Sequence, residues 1–403
     1  MKKKTNYIVK KRVRQLTCDF MHFFQRETTS GIILLLCAVV AMVIANSSLF
    51  VKYEALLHRD ISIGIANFSL SMSVLHWIND ALMAVFFFVI GMEIKREVLF
   101  GELKSLSATI LPIVAAIGGM IVPAGIYILI NWGEITISGW GVPMATDIAF
   151  AIGILAFAAG NAPRSIAIFL TALAIVDDLG AIIVIALFYT SNLSWIALLF
   201  GMGFLIIAFL LNRAKVQFIS AYIFSGLLAW YAFLQAGIHP TIAGVILGFM
   251  IPANGENSMM HKLETILGRW SSYAIMPLFA LANAGIRIDA EAFTSIFTPV
   301  GLGILLGLCL GKPIGIFGSA YLLIKFKLIK MPEKLNFCYF GGAGVLGGIG
   351  FTMSLFIASL AFSDPKILMT AKLSIICASI LSGLIGILIF KIIAWNHKVK
   401  KNT

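Results

Sequence analysis

Two adjacent aspartates, Asp177 and Asp178, lie near the middle of a long apolar run, LTALAIVDDLGAIIVIALF. An ionisable side chain inside a membrane span costs at least about 2.5 kcal/mol on insertion scales, so such residues are rare and usually functional. Neighbouring helix positions point about 100° apart, so one carboxylate can face a water-filled cavity while the other faces an adjacent helix. Two acids this close repel each other, and at least one is expected to hold a proton near neutral pH. The pair can therefore bind either a proton or a cation.

Three further charged side chains fall within apolar runs. Asp147 follows a glycine- and proline-rich stretch in SGWGVPMATDIAFAIGILA, and Lys312 lies in GLCLGKPIGIFG. Lys312 can neutralise one of the paired aspartates or Asp147, because a lone buried lysine would lose its proton. The alternative for Lys312 is a side chain that extends along the helix to the membrane surface. Asp80, in WINDALMAVFF, is a weaker candidate that can also be an interfacial charge or a helix cap.

A cluster of charges ends the second apolar run, where GMEIKREVLFGELK contains Glu93, Arg96 and Glu97. One interpretation is a solvated helix end whose local ion pairs contribute little to stability. The other is a charged cytoplasmic funnel that responds to pH. His239, at the start of the eighth apolar run, can titrate near neutral pH, although a histidine there can equally serve packing or capping.

The elements that position these residues are membrane-spanning helices. The chain of 403 residues is 60% hydrophobic and 12% charged, with a mean hydropathy of +0.99, whereas soluble domains carry about 25% charged residues. Because about 20 apolar residues cross a bilayer as a helix, the sequence predicts an all-α polytopic membrane protein with about 12 transmembrane helices. The expected spans are 29–47, 75–98, 108–130, 140–158, 164–189, 194–212, 217–234, 239–251, 270–286, 299–324, 338–361 and 367–394.

Two of these spans, the fourth and the eleventh, are predicted to be broken. Glycines and Pro143 interrupt the fourth, a glycine-rich stretch from Gly341 interrupts the eleventh, and TDIAFAIGILAF and TMSLFIASLAF read alike after the breaks. Paired broken helices indicate a transporter site built from inverted repeats, here spans 3–5 and 10–12. If the half-helices cross at mid-membrane, Asp147 can balance their N-terminal ends and Lys312 their C-terminal ends. The alternative is glycine that serves ordinary close helix packing.

The distribution of basic residues predicts the orientation of the chain in the membrane. With the N-terminus inside, the outside segments hold only Lys52, Arg59, Arg287, Lys366 and Lys372 of the 30 lysines and arginines. Both termini are therefore expected in the cytoplasm. The net charge of +12 fits membrane orientation and contact with anionic lipid better than nucleic-acid binding.

One segment outside the helices, residues 60–72 (DISIGIANFSLSM), alternates apolar and polar residues around a turn-like Ala66-Asn67. This pattern predicts a small external β-hairpin. Its unpaired edge can form a homodimer contact with a second copy, or it can remain a surface hairpin without a partner. The expected organisation is a basic cytoplasmic arm at 1–28, one transmembrane domain at 29–394 and a basic cytoplasmic tail at 395–403.

Several long stretches together resemble the NhaA family of sodium/proton antiporters, from about residue 20 to 395. The matching stretches are WINDALMAVFFFVIGMEIKRE, PMATDIAFAIG, ALAIVDDLGAI, GIHPTIAGVILGF, PLFALANAGI, GKPIGI and GIGFTMSLFIASLAF. The resemblance implies a secondary active transporter of the bacterial inner membrane, not an enzyme, that needs no cofactor. It implies alternating access that exchanges cytoplasmic Na⁺ or Li⁺ for external H⁺, is electrogenic and pH-regulated, and contributes to sodium and pH homeostasis.

The resemblance also implies roles for individual residues. Asp178 is expected to bind the transported cation directly, with Asp177 beside it. Thr146 and Asp147 match the polar pair at the broken fourth helix, and Lys312 matches the lysine that partners one of the aspartates. The expected pH-sensing residues are Glu93, Arg96, Glu97 and Glu264, which match the cytoplasmic region of the family, together with His239. Residues 60–72 match a dimerising hairpin.

The chain departs from the family pattern after Glu264. Family members can carry histidines there, whereas this chain has LETILGRW, with Thr265 and Gly268 at those places. The pH profile, and any role of histidine in it, is therefore not implied by the resemblance.

Functions from other classes remain as alternatives. A cation channel would pass current without coupling to pH, and a proton-coupled symporter of an organic anion would need aromatic or arginine clusters that the sequence does not indicate. An intramembrane aspartyl protease is disfavoured because adjacent aspartates on one helix make a poor catalytic dyad and the GxGD context is missing. The sequence contains no Walker A loop for ATP-driven pumping.

Overall fold

The computed structural model describes residues 29–65, 68–101, 106–158, 163–190, 193–253, 258–329, 331 and 335–402. Apart from one pair of strands, its regular elements are helices. The first part of the chain forms α1 Thr29–Ala45, α2 Phe50–Leu57, α3 Val74–Leu99, α4 Leu106–Ile130, a 3₁₀ helix at Ile135–Met144, α5 Ile148–Ala158 and α6 Arg164–Phe188. The remainder forms α7 Trp195–Arg213, α8 Ile219–Ala236, α9 Thr241–Met250, α10 at 259–283, α11 Ala290–Ser295, α12 Pro299–Lys325, α13 Phe337–Gly347, α14 Phe351–Ala361 and α15 Pro365–Asn402.

Seven of these helices are long and apolar enough to cross a membrane, and up to ten spans result if each bent pair counts as one. The structure is therefore that of a multi-pass membrane protein, while the count of twelve stays a prediction. The eighth expected span is the 10-residue helix α9. The ninth, expected from residue 270, lies in a helix that already begins at Met259. This first part has one buried side and a charged outer face, and it is not among the described stretches that are apolar enough to cross a membrane.

Two helices are broken at the places where glycine and proline interrupt the apolar pattern. The 3₁₀ helix and α5 meet at an angle of 44°, and α13 and α14 also meet at 44°. The two breaks contact each other, because the N–H of Asp147 donates to the carbonyl of Ile349 at 2.7 Å. Next to them, the Ser354 hydroxyl donates to the Val142 carbonyl at 2.8 Å. Backbone groups that each break leaves unpaired thus find partners in the other broken helix.

Helices α3 and α9 pack with their backbones in close contact. A Cβ added at Gly248 of α9 would lie 2.6 Å from the carbonyl oxygen of Phe88 in α3. At the end of α9, the ammonium of Lys95 donates to the carbonyls of Phe249 at 2.8 Å and Ile251 at 2.6 Å. Small residues allow this approach in membrane helices, and the lysine caps carbonyls that the helix end leaves free. The two helices therefore form one rigid unit.

The strands β1 Asp60–Ile65 and β2 Phe68–Ser73 pair antiparallel, with Asp60 opposite Ser73 and Ile65 opposite Phe68. The turn expected at Ala66-Asn67 lies outside the described residues. The Trp77 indole at the start of α3 donates to the carbonyl of Ile61 at 3.2 Å. This bond fixes the pair of strands to the helix that follows it.

The close packing of α3 on α9 predicts that Gly248→Ala destabilises the protein. The new methyl group would press on backbone atoms of α3, which cannot rotate away, and overpacking costs about 1–3 kcal/mol. Thermal unfolding of the purified protein in detergent measures the effect. The control is Gly203→Ala in α7, where an added Cβ meets nothing within 4 Å and the helix is expected to gain up to about 1 kcal/mol. Equal stability of the two variants would contradict the rigid α3–α9 unit.

Candidate functional site

The carboxylate of Asp147 lies at the N-terminal ends of two helices. Its Oδ1 accepts from the N–H of Phe150 at 3.1 Å, in the first turn of α5. Its Oδ2 accepts from the N–H of Thr352 at 3.2 Å, in the first turn of α14, and also from the Thr352 hydroxyl. One aspartate therefore caps both half-helices that begin at the breaks, as N-cap residues do. The sequence predicted that Asp147 would balance these ends.

Lys312 of α12 reaches the paired aspartates rather than Asp147. Its ammonium lies 2.5 Å from Oδ2 of Asp177 and 2.8 Å from the hydroxyl oxygen of Thr146. The Thr146 hydroxyl in turn donates to the carbonyl of Gly347 at 2.9 Å, at the end of α13. Lys312 is 0% exposed, so it does not extend to the membrane surface. It serves the C-terminal end of α13 only through Thr146, which connects the ion pair to the break.

The neighbouring carboxylate, Asp178, has a different environment. Asp178 lines a cavity of about 170 Å³ that also touches Asp147, Thr146 and Thr352. Its Oδ1, like Oδ1 of Asp177, is buried and has no hydrogen-bond partner within the described ranges. The side chain of Asp177, by contrast, is 0% exposed and is in contact with Lys312. The 100° divergence expected for neighbouring helix positions therefore separates a closed carboxylate from one that faces the cavity.

The charges of the site do not cancel when all three aspartates are ionised. Each helix N-terminus is equivalent to roughly half a positive charge, so the ends of α5 and α14 together offset Asp147. Lys312 offsets Asp177. Asp178 then remains as a buried negative charge, which is costly unless a proton or a cation neutralises it. Among the three aspartates, Asp178 is therefore the one that the described residues leave without a counter-charge.

The same cavity connects this carboxylate with the charged end of α3. Its wall includes Glu93 and Arg96 of α3 and Glu264 and His261 of α10. Arg96 pairs with Glu97 at 2.9 Å and with the buried carboxylate of Glu264. The pair with Glu264 joins α3 to α10, so the cluster is more than a solvated helix end.

Two residues of this region were missed by the sequence analysis. Thr352, which binds Asp147, lies in the second of the two matched segments, TMSLFIASLAF, but nothing in its type distinguishes it from a packing threonine. His261 precedes Glu264 by three positions on α10, which places the two side chains on one face of the helix. Because of that spacing, the sequence could have predicted that His261 lines the same cavity as Glu264.

His239 and Asp80 lie together, away from the cluster of Glu93, Arg96, Glu97 and Glu264. The imidazole of His239 is 3.9 Å from the carboxylate of Asp80. Its ring packs against Phe356 with 5.3 Å between centroids. Phe87 and Phe279 pack against the same ring of Phe356, at 5.4 and 6.1 Å. The structure thus does not bring His239 to the other expected pH-sensing residues, and Asp80 is a largely buried side chain rather than an interfacial charge.

The buried ion pair predicts that Lys312→Met destabilises the protein, because it leaves the carboxylate of Asp177 without its counter-charge. Loss of one partner of a buried pair costs about 3–5 kcal/mol. The double variant Lys312→Met with Asp177→Asn should regain much of that loss, since no charge is left unpaired. Thermal unfolding in detergent measures both, with Lys325→Met, an exposed lysine of the same helix, as the control. A double variant as unstable as Lys312→Met would contradict the pairing.

Comparison with known proteins identifies the family of the chain. The model of the Na+/H+ antiporter 1 family matches residues 21–390. The chain is 57% identical to the Na(+)/H(+) antiporter NhaA 2 of Clostridium beijerinckii over 95% of its own length and 96% of that protein. It is 42% identical to the Na(+)/H(+) antiporter NhaA of Oleidesulfovibrio alaskensis, over 96% and 97% of the two chains. The resemblance identified from the sequence is confirmed, and the chain belongs to the Na+/H+ antiporter 1 family.

Proposed function

We propose that the protein exchanges sodium ions for protons, with Asp178 as the carboxylate for which the two cations compete. The observation that carries this proposal is the charge balance of the site. Lys312 offsets Asp177 and two helix ends offset Asp147, whereas Asp178 lines the cavity and forms no ion pair among the described residues. Membership of an antiporter family favours exchange over the channel and symporter alternatives.

The ligands of the bound sodium are oxygen atoms, which suit a hard cation. Asp178 supplies a carboxylate, and Thr146, which lines the same cavity at the adjacent break, would supply its hydroxyl or carbonyl oxygen. Asp177 can join these ligands only when Lys312 withdraws from it, because the ammonium occupies one of its oxygens at 2.5 Å. Binding of the ion and release of the lysine are therefore linked steps.

Competition at one site couples the two fluxes. Sodium from the cytoplasm displaces the proton on Asp178, the loaded site opens to the outside, and an external proton replaces the sodium. If the Asp177–Lys312 pair takes up a second proton in the same cycle, two protons enter for each sodium ion that leaves, and one net positive charge crosses the membrane. Exchange is then electrogenic, so the membrane potential drives it by about 2.3 kcal/mol per charge per 100 mV. Lithium can replace sodium at the same oxygens.

Alternating access requires that only one side of the site is open at a time. The cavity opens the site toward the charged end of α3, near Arg96. On another side, the rings of Phe87, Phe279 and Phe356 pack together and are buried or largely buried. We take the described state as the one open to the cytoplasm, with the aromatic cluster as the closed outer barrier. The rigid α3–α9 unit then moves as one body against the broken helices.

The finer architecture belongs to the same proposal. It has twelve spans, the inverted repeats of spans 3–5 and 10–12, and both termini in the cytoplasm. The equal 44° bends of the two broken helices and their mutual hydrogen bonds support the repeats. The basic arm at 1–28 and the tail at 395–403 flank the transmembrane domain at 29–394, and their lysines and arginines support the orientation in a bacterial inner membrane. In that membrane the exchange contributes to sodium and pH homeostasis.

The pair of strands at 60–73 supports a dimer contact. Ile61 and Ile63 of β1 are exposed, and the outer edge of a two-stranded sheet presents unpaired backbone groups. Addition of the same edge from a second copy would form a continuous sheet across a two-fold axis. The proposed homodimer is therefore joined through its external hairpins.

Regulation by pH is proposed to act through the charged wall of the cavity. Arg96 holds Glu97 and Glu264 together, and this ion pair joins α3 to α10. Glu93 and His261 line the same wall. A change in the charge of this wall would alter the electrostatic field that a sodium ion meets on its way to Asp178. His239 lies beside Asp80, away from this wall, and is not part of the proposed pH response.

Substitutions at Asp178 test the proposed exchange. We expect Asp178→Asn to abolish sodium-induced pH changes in everted membrane vesicles, because the site can no longer release a proton. Asp178→Glu, which keeps the charge, should retain part of the activity. Asp80→Asn, a largely buried carboxylate outside the cavity wall, is the control and should remain close to the wild type. Wild-type exchange by both Asp178 variants would exclude this residue as the site.

The charged wall predicts an altered pH profile for Glu264→Gln. Loss of its ion pair with Arg96 should displace the pH of half-maximal exchange by about one unit, the shift that corresponds to about 1.4 kcal/mol, without abolishing transport. Exchange assayed from pH 6.5 to 9 measures the displacement. Glu54→Gln, an exposed carboxylate on α2, should leave the profile unchanged. An identical profile for Glu264→Gln and the wild type would remove this residue from the pH response.

A further inference from the structure

A second cavity lies on the outer surface of the bundle, apart from the cation site. It has a volume of about 460 Å³ and is bordered by α1, α5 and α15. Its floor includes Ile349 and Phe351, which are buried at the break between α13 and α14. Its rims are exposed apolar side chains such as Leu35 and Leu384. We call this cavity the α1–α15 groove.

The part of the α1–α15 groove that lies along α15 extends over about half of a bilayer. There it runs from Ile376 to Ile387, beside Phe150 to Phe157 of α5, whereas its lining on α1 extends from Gly31 at the break toward the opposite surface. At 1.5 Å per residue, the stretch of α15 is about 16 Å long, and one leaflet of the hydrocarbon core is about 15 Å thick. One end of the groove reaches the break at Phe351, where the broken helices cross. The groove therefore matches a single acyl chain in one leaflet.

The other end of the groove carries positive charge. The ammonium of Lys391, on α15, lies 5.9 Å above the ring of Phe157, and that ring lines the groove. A negative headgroup at this end would thus meet a cation while its chain fills the apolar groove.

From this combination of shape and charge we propose that the α1–α15 groove is a binding site for an anionic phospholipid. One acyl chain occupies the groove against Phe351, and the phosphate is held by Lys391. The leaflet in question faces the cytoplasm, where anionic lipids are concentrated. Because the chain contacts the start of α14, a bound lipid would also support the packing of the broken helices. This binding does not depend on the exchange reaction.

Native mass spectrometry of the purified full-length protein tests the proposal, with phosphatidylglycerol and phosphatidylcholine titrated in turn. We expect one tight site for phosphatidylglycerol. Lys391→Gln should weaken it about fivefold, since a lysine near a membrane surface contributes about 1 kcal/mol to anionic-lipid binding. Gly383→Leu should remove it, because Gly383 lines the groove and a side chain there fills it.

Two matched controls separate this site from general lipid contact. Lys325→Gln removes a lysine that lies 5.5 Å above the ring of Tyr321 on α12, away from the groove. Gly203→Leu adds the same side chain on α7, where it meets open space. Both should bind phosphatidylglycerol as the wild type does, and thermal unfolding confirms that all four variants are folded.

Three results would overturn the proposal. The first is wild-type affinity of both Lys391→Gln and Gly383→Leu for phosphatidylglycerol. The second is equally tight binding of phosphatidylcholine, which would show that the groove holds the acyl chain without any contribution from a negative headgroup. The third is loss of a dimer in Gly383→Leu without any change in lipid affinity, which would assign the groove to a second copy of the protein.

Discussion

The arrangement of the site, and of the helices around it, depends on the free-energy cost of burying a charge away from water. Asp147 lies at the crossing of the broken helices, Asp177 is connected to it through Lys312 and Thr146, and Asp178 lines the same cavity as Asp147. One lysine and two helix ends compensate the first two. Compensation of the third by the protein itself would leave nothing for a transported ion to neutralise. Asp178 is buried enough to require a counter-charge and open enough, through the cavity, to exchange it.

The breaks in the helices exist to make that compensation possible. A continuous helix through the membrane would place its termini at the surface, far from Asp147. Breaks at mid-membrane create helix ends there, and the unpaired backbone groups of one break find partners in the other, as in the bond from Asp147 to Ile349. Thr146 then connects the ion pair of Lys312 with the carbonyl of Gly347. These bonds connect the Asp177–Lys312 ion pair to both broken helices.

Much of this site could be predicted from the sequence, because charges inside apolar runs are conspicuous. The aspartate pair, Asp147 and the two breaks follow from composition and glycine spacing alone. The sequence alone did not decide whether Lys312 pairs with Asp147 or with one of the adjacent aspartates, because that depends on how the broken helices cross. Thr352 was missed for the same reason, because its contact with Asp147 depends on how two distant segments meet.

The boundaries of α10 show a different limit. Its first part, Met259–Trp270, has one buried side and a charged outer face, so average hydropathy does not mark it, and the helix begins eleven residues before the expected span. The amphipathic period of that part, with Glu264 on the buried side, carried the information that hydropathy discarded. By contrast, the close contact of Gly248 with α3 depends on tertiary packing and cannot be derived from a single sequence.

Competition between sodium and protons at Asp178 is the central claim, and proton release on sodium binding tests it most directly. Purified protein in weakly buffered detergent would receive sodium chloride, with potassium chloride as the ionic-strength control, while pH is recorded. The account predicts that sodium releases protons from the wild type and from Asp80→Asn, and releases none from Asp178→Asn. Proton release of wild-type size from Asp178→Asn would show that another group carries the exchange.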